Sequence, residues 1–374
     1  MESEFGLLPV ASSFLSEDES RAVVSEYAGL LGRVGGSEVG PESIGVPARL
    51  VFFVVTGGTE RRILELVKTR GLAEPRPASK AGAAASSGEP VLLVAYPGRN
   101  SLPAALEVLA RLQQDGMAGR IVFLDGPDDA AGARRLRMAV DGSAPARHVA
   151  FSEDRESGAD VPPHTQRPAG RPLAGRRVGL VGPPSDWLVA SSPSPALVRD
   201  VWGAEVVEIG MGELRKRVDS GTRVSAEFFA QAYGSWASSV CEPTDADLVA
   251  SGAIYVALRS LVDEFELDAI SLRCFDLVVD RGATGCLALS RLADQGIVAG
   301  CEGDLPSALA MLWVRERTGR TSWMANPARV DVGANTLTLA HCTVPCSMVD
   351  GYTLRSHFES GLGAAVQGSI PTGP

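Results

Sequence analysis

The chain has 374 residues, 45% of them hydrophobic and 21% charged, with 35 Lys and Arg against 45 Asp and Glu and a formal net charge of −10. That length allows about two or three domains, and the apolar share is ample for packed cores. So acidic a balance speaks against general nucleic-acid binding, which needs a basic footprint, and against an anionic membrane surface as partner.

No run of about 18 apolar residues occurs, so no transmembrane helix is expected. The opening MESEFGLLPVASSFLSEDES has neither the basic start nor the apolar centre of a signal peptide, and a cytoplasmic location is the expectation. Six cysteines stand at 241, 274, 286, 301, 342 and 346. A chain of this length needs no disulfides, and cytosol keeps thiols reduced. HCTVPC (341–346) lacks the second ligand pair of a closed zinc site, so structural zinc is not expected.

In chain order, ARLVFFVVTGG (48–58) reads as a buried strand and TERRILELVKTRG as the helix after it. VLLVAYPG (91–98) is a second strand, followed by the helical LPAALEVLARLQQDG, and RIVFLDG (120–126) is a third. RRVGLVGPP (176–184) and AEVVEIG (204–210) continue the pattern. Apolar runs separated by amphipathic helices predict parallel sheets covered on both faces. Residues 73–90 are rich in Ala, Ser and Gly and read as a loop or linker. Residues 152–176 are polar and rich in Pro and Gly, and mark a boundary between two α/β domains.

Beyond 210 the texture changes. Residues 244–266 read as a helix, AISLRCF (269–275) as a strand, and CLALSRLADQG (286–296) as a helix ended by Gly296. IVAGCEGD leads into a helix from 305, residues 321–345 look β-like, and the glycine-rich tail from 355 offers no strand of its own. The expected fold is therefore α/β, with two doubly wound parallel-sheet (Rossmann-like) domains at 1–160 and 161–320 and a mainly β C-terminal portion at 321–374. The VVTGGTE turn (54–60) can cradle an anion at a helix N-terminus, but such turns are mostly only turns. No GxxxxGK[ST] loop is present, which gives nucleotide hydrolysis little support.

The chemistry concentrates in CEGDLPSALAML (301–312). Asp304, just before Leu305 and Pro306, suits a helix N-cap. Glu302 is not explained that way. It follows an apolar strand, at the kind of sheet edge where α/β proteins bind ligands. His148 and His164 sit in polar surroundings, His341 ends a strand-like run, and His357 lies in a glycine-flanked loop. Glu302, Asn326, His341 and His357 together would offer oxygen and imidazole ligands to Mn²⁺ or a similar divalent ion. Asp276, Arg273, Arg329 and Arg355 are further polar candidates.

The stretch from CLALSRLADQGIVAGCEGDLPSALAML through TSWMANP and TLTLAHCTVP to LRSHFESGLG, roughly residues 269–374, resembles the L-fucose isomerase and L-arabinose isomerase superfamily, in particular its short fucose isomerase-like members. The resemblance implies a cytoplasmic, metal-dependent aldose–ketose isomerase acting on a fucose- or arabinose-like monosaccharide, with Mn²⁺ (or Mg²⁺ or Co²⁺) as cofactor. It implies a homo-oligomer, trimer or hexamer; that no nucleic acid or membrane is a partner is the expectation from charge alone. Glu302 matches the first family carboxylate, His341 a histidine just after this region, and His357, more loosely, the late metal-binding histidine. Where the second carboxylate belongs, this chain reads WMANP, with Ala325 and Asn326. Asn326 can lend a carbonyl oxygen to a metal but cannot act as a base. Asp304, Asp276 or Glu359 would then supply the second acid. In the family that this stretch resembles, chains continue past a GxIPxGP-like stretch where this sequence ends at Pro374, so the expectation is either a shortened C-terminal portion or a sequence that is part of a longer chain. Two other functions stay open: a sugar-binding protein that has lost the chemistry, and another enediolate enzyme such as an aldolase or epimerase.

Overall fold

The computed structural model describes residues 5–41, 49–72, 89–143, 170–331, 333–340 and 342–373. The chain divides into two compact units, Met1–Gly170 with Ala328–Leu337, and Arg171–Pro327 with Thr338–Pro374. Residues 321–374 thus do not stand as a unit of their own. Among the described residues no helix is long and apolar enough to cross a membrane.

The first unit runs β1 (Phe5–Val10), α1 (Glu17–Arg33), β2 (Gly36–Glu38), β3 (Leu50–Val54), α2 (Glu60–Thr69), β4 (Val91–Ala95), α3 (Ser101–Gln114), β5 (Gly119–Phe123) and α4 (Ala130–Val140). Its sheet has the order β2-β1-β3-β4-β5 and is parallel throughout. Successive side chains of a strand point to opposite faces, and here both faces are apolar. Phe5, Leu7, Val51, Phe53, Leu92 and Val94 enter one core with residues of α1 and α4. Leu8, Val10, Phe52, Val54, Val91 and Leu93 enter another with α2 and α3. That two-sided burial is why LVFFV and VLLVA are unbroken apolar runs.

The second unit runs β6 (Arg177–Val181), α5 (Pro195–Val201), β7 (Glu205–Ile209), α6 (Met211–Ser220), α7 (Arg223–Trp236), β8 (Ser239–Val240), α8 (Asp245–Glu264), β9 (Ala269–Leu272), α9 (Phe275–Arg281), α10 (Cys286–Asp294), β10 (Val298–Cys301) and α11 (Leu305–Thr318). β11 (Asn326–Asp331) and β12 (Thr336–Ala340) form a two-stranded ribbon. Residues 321–325, expected to be β-like, belong to no strand. The main sheet has the order β10-β9-β6-β7, again parallel. Its core gathers Val178, Leu180, Ile270, Leu272, Leu305 and Leu309 among others.

A small sheet finishes the unit. β13 (Tyr352–Arg355) pairs in parallel with β8 and antiparallel with β14 (Ala365–Gly368). The expectation that the tail holds no strand is corrected here. AVQG carries almost no strand signal by itself. The ladder to β13 makes it a strand, and Tyr352, Leu354 and Ala364 are buried with Phe229, Tyr233 and Leu287.

Candidate active site

β10, β9 and β6 lie side by side and run the same way, so their carboxyl ends open onto one edge. Three segments leave that edge: Gly182–Trp187 after β6, Arg273–Asp276 after β9, and Cys301–Asp304 after β10. This is the position where parallel α/β sheets hold ligands.

Glu302 has a left-handed backbone, with φ +63°, followed by Gly303 at φ +70°. A non-glycine residue there costs about 1–3 kcal/mol and persists only where its surroundings hold it. Four hydrogen bonds do so. The amide of Gly303 donates to the Leu272 carbonyl at 3.1 Å, and that of Asp304 to the Cys301 carbonyl at 3.1 Å. The amide of Ser185 donates to the Glu302 carbonyl at 2.9 Å. The indole Nε1 of Trp187 donates to Glu302 Oε2 at 2.7 Å. Gly303 is required for a second reason. A Cβ on it would lie 2.9 Å from Pro184 Cα and 3.0 Å from the Pro183 carbonyl oxygen, so the β6 loop passes directly over it.

Asp304 caps α11. Its Oδ1 accepts from the Ser307 amide at 2.9 Å and its Oδ2 from the Ser307 hydroxyl at 2.6 Å. Asp276 lies in the first turn of α9 rather than on a strand, because the strand ends at Leu272. It accepts from Arg273 Nε at 2.8 Å and pairs with Arg215 at 3.5 Å. Arg273 is engaged on three sides: it also donates to the Pro184 carbonyl at 2.6 Å and to Asp186 Oδ2 at 2.9 Å. It thereby ties the β9 and β6 segments together. Arg355 grips Glu242 through Nε at 2.9 and 2.8 Å, and Arg329 pairs with Asp125 at 2.5 Å.

Aromatic rings lead away from Trp187. Phe275 meets it edge-on at 4.9 Å between centroids, and His357 meets Phe275 edge-on at 5.6 Å. His357 Nδ1 is 3.1 Å from the Ser360 hydroxyl, and burial pushes the imidazole pKa down, favouring the neutral ring. Asn326 opens β11, and Glu359 is exposed. His341, with His148 and His164, lies outside the described residues. Among the described residues no group of three or more His, Cys, Asp or Glu side chains is arranged so that it could hold a metal ion.

Behind Glu302 sits a group of thiols. Cys274 Sγ and Cys301 Sγ are 2.9 Å apart, and Cys301 also hydrogen-bonds Cys342. The contact with Cys301 and burial raise the Cys274 pKa well above the ordinary value. For Cys301, the bond to Cys274 lowers the pKa, but the bond to Cys342, burial and the nearby Glu302 outweigh it. Burial pushes Cys286 up to about 12 and Cys346 up to about 11. These are protonated, unreactive thiols. Cys241 differs, being exposed at the end of β8.

Sequence reasoning missed Trp187. The signal that points to it is positional: GPPSDW (182–187) follows the strand RVGLV at its carboxyl end, as EGD (302–304) follows VAGC.

The fold and site define an α/β protein that presents a carboxylate, held by an indole, at the carboxyl edge of a parallel sheet. No family model matches the chain. Part of it is similar to sulfoquinovose isomerases. It is 33% identical over 88 residues to that of Alkalicoccus urumqiensis, a match covering 23% of this chain and 20% of the relative. It is 30% identical over 87 residues to that of Priestia megaterium, with the same coverage of 23% and 20%. It is 33% identical over 97 residues to that of a Clostridium species, covering 25% of this chain and 22% of the relative. The matches thus span only about a fifth of each relative's length.

Proposed function

We propose that the protein is an aldose–ketose isomerase acting on a monosaccharide, with Glu302 as the base. The observation that carries this is the Glu302 carboxylate, held in a left-handed turn at the carboxyl edge of the β10-β9-β6-β7 sheet with one oxygen fixed by Trp187. The partial similarity to sulfoquinovose isomerases supports the same reaction class.

Isomerisation moves a proton between C2 and C1 through an ene-diol. A base within hydrogen-bond reach of both carbons, on one face of a cis ene-diol, can take the proton from C2 and return it to C1. Glu302 is suited to that shuttle because its backbone and Oε2 are both restrained. A divalent ion, Mn²⁺ or else Mg²⁺ or Co²⁺, is proposed from the sequence resemblance, with Glu302, Asn326, His341 and His357 as its ligands. If bound there, such an ion would polarise the sugar's carbonyl and hydroxyl oxygens and offset developing negative charge. The described residues alone do not assemble that ligand set. A homo-oligomer, trimer or hexamer, is part of the same proposal. The exposed Val224, Phe228 and Trp236 of α7 offer an apolar face for assembly.

The test is ketose formation from L-fucose, D-arabinose, L-arabinose and a 6-sulfonated aldose, on chelator-treated protein with each metal restored. Replacing Glu302 with Gln removes the base, and turnover is expected to fall about 10²–10⁴-fold. Turnover that survives both the chelator and the substitution rejects this mechanism. The second reading, a sugar-binding protein, is favoured by Asn326 standing where a second carboxylate is expected. Sugar binding by calorimetry, without turnover of any aldose, selects it.

A further inference from the structure

The loop after β6 has no obvious task in the proton shuttle, yet its fixation is unusually complete. The Gly182 amide donates to the Ile209 carbonyl at 2.8 Å, and the Leu188 amide closes a turn onto the Ser185 carbonyl at 3.0 Å. Arg273 holds the Pro184 carbonyl at 2.6 Å and the Asp186 carboxylate at 2.9 Å. The Arg273 side chain is itself largely buried, at 16% exposure, and is oriented by Asp276 at 2.8 Å. Gly303 lets Pro183 and Pro184 lie against the Glu302 turn without a side chain between them. The loop so fixed reaches Glu302 at two points: the Ser185 amide on its carbonyl at 2.9 Å, and the Trp187 indole N–H on Oε2 at 2.7 Å, with the ring's position further set by Phe275.

From this geometry we infer that Trp187 is a positioning residue for Glu302, with the Arg273-tied loop as its support. This rests on the isomerase reading above. A glutamate has three side-chain torsions, and a shuttle between two adjacent carbons needs the same carboxylate to stay aimed at both. A donor to Oε2 removes that freedom, and a hydrogen bond to a charged acceptor is among the stronger ones. An indole is suited to the task because it is a donor only and never competes with the base for a proton.

Two measurements test it. The chain has five tryptophans, so a ¹⁵N spectrum of the native protein carries five indole signals, and the Trp187→Phe spectrum identifies the Trp187 signal. That signal is expected downfield and slow to exchange with deuterium in the native protein, and moved upfield in Glu302→Gln. Kinetics then separate positioning from folding. Trp187→Phe is expected to lower kcat about 10–100-fold, the range of one lost hydrogen bond to a charged group, with KM changed less than about threefold. Replacing Trp187 by 3-benzothienylalanine keeps the ring shape and removes only the N–H. It is expected to match Trp187→Phe in kcat while melting at the native temperature. An indole signal indifferent to Glu302→Gln overturns the contact. Native kcat in the benzothienyl protein overturns the positioning role. If the native protein turns over no aldose while the indole signal still follows Glu302, the isomerase reading fails, and the catalytic part of this inference fails with it.

Discussion

At the scale of single residues, the site depends on two consecutive left-handed positions, and only the second is a glycine. Gly303→Ala places a methyl group against Pro183 and Pro184 in a backbone conformation that alanine disfavours. It is expected to cost about 1–3 kcal/mol, seen as a lower urea midpoint with an unchanged slope. A second residue-level prediction concerns Glu242. Hydrogen bonds from Arg355 hold its carboxyl at about 2, against an ordinary 4.5. A carboxylate depressed by folding contributes stability that is present above the unfolded pKa and lost as pH falls through about 2. Carboxyl ¹³C NMR should show Glu242 titrating at about 2 in the native protein and returning toward 4.5 in Arg355→Ala. A midpoint unmoved by that substitution refutes the assignment to Arg355.

At the scale of elements, what could be read from the sequence was whatever a single segment decides by itself. LVFFV and VLLVA announce central strands because both of their faces are buried. Asp304 announces the start of α11 because capping is local, and the structure supplies the Ser307 amide it needs. Asp304→Ala is therefore expected to destabilise the unit by about 0.5–2 kcal/mol, while turnover measured well below the melting temperature stays within about twofold. A loss of turnover as large as that of Glu302→Gln gives Asp304 a chemical role instead. What could not be read was set by partners distant in sequence. AVQG becomes a strand only beside β13. Trp187 becomes a partner of Glu302 only because β6 and β10 flank β9 and their loops leave the same edge. The left-handed turn at Glu302 is equally hidden, since nothing in CEGD says which of its residues turns.

For the whole molecule, the decisive fact is that two units each bury cores of their own, and neither is one continuous stretch of chain. Two-state unfolding is the habit of small single domains. Heating this protein in a calorimeter is expected to give a measured enthalpy larger than the van't Hoff value. A ratio of one reports a single cooperative block and contradicts the expectation. The alternation of apolar runs and amphipathic helices foresaw the α/β class but not this partition, because the ribbon of β11 and β12 leaves one unit and returns to it within a few residues.

The six thiols also have a practical consequence. Five are buried or half-buried, and Cys274, Cys286, Cys301, Cys342 and Cys346 all have raised pKa values. Cys241 alone is exposed, its amide bonded to the Leu354 carbonyl at 3.0 Å. A maleimide dye applied to the native protein at neutral pH should therefore attach at Cys241 first, with no engineered cysteine. The fluorophore would sit on the strand pair that leads to His357, a ready-made reporter with which to test the proposed sugar binding by fluorescence, independently of turnover.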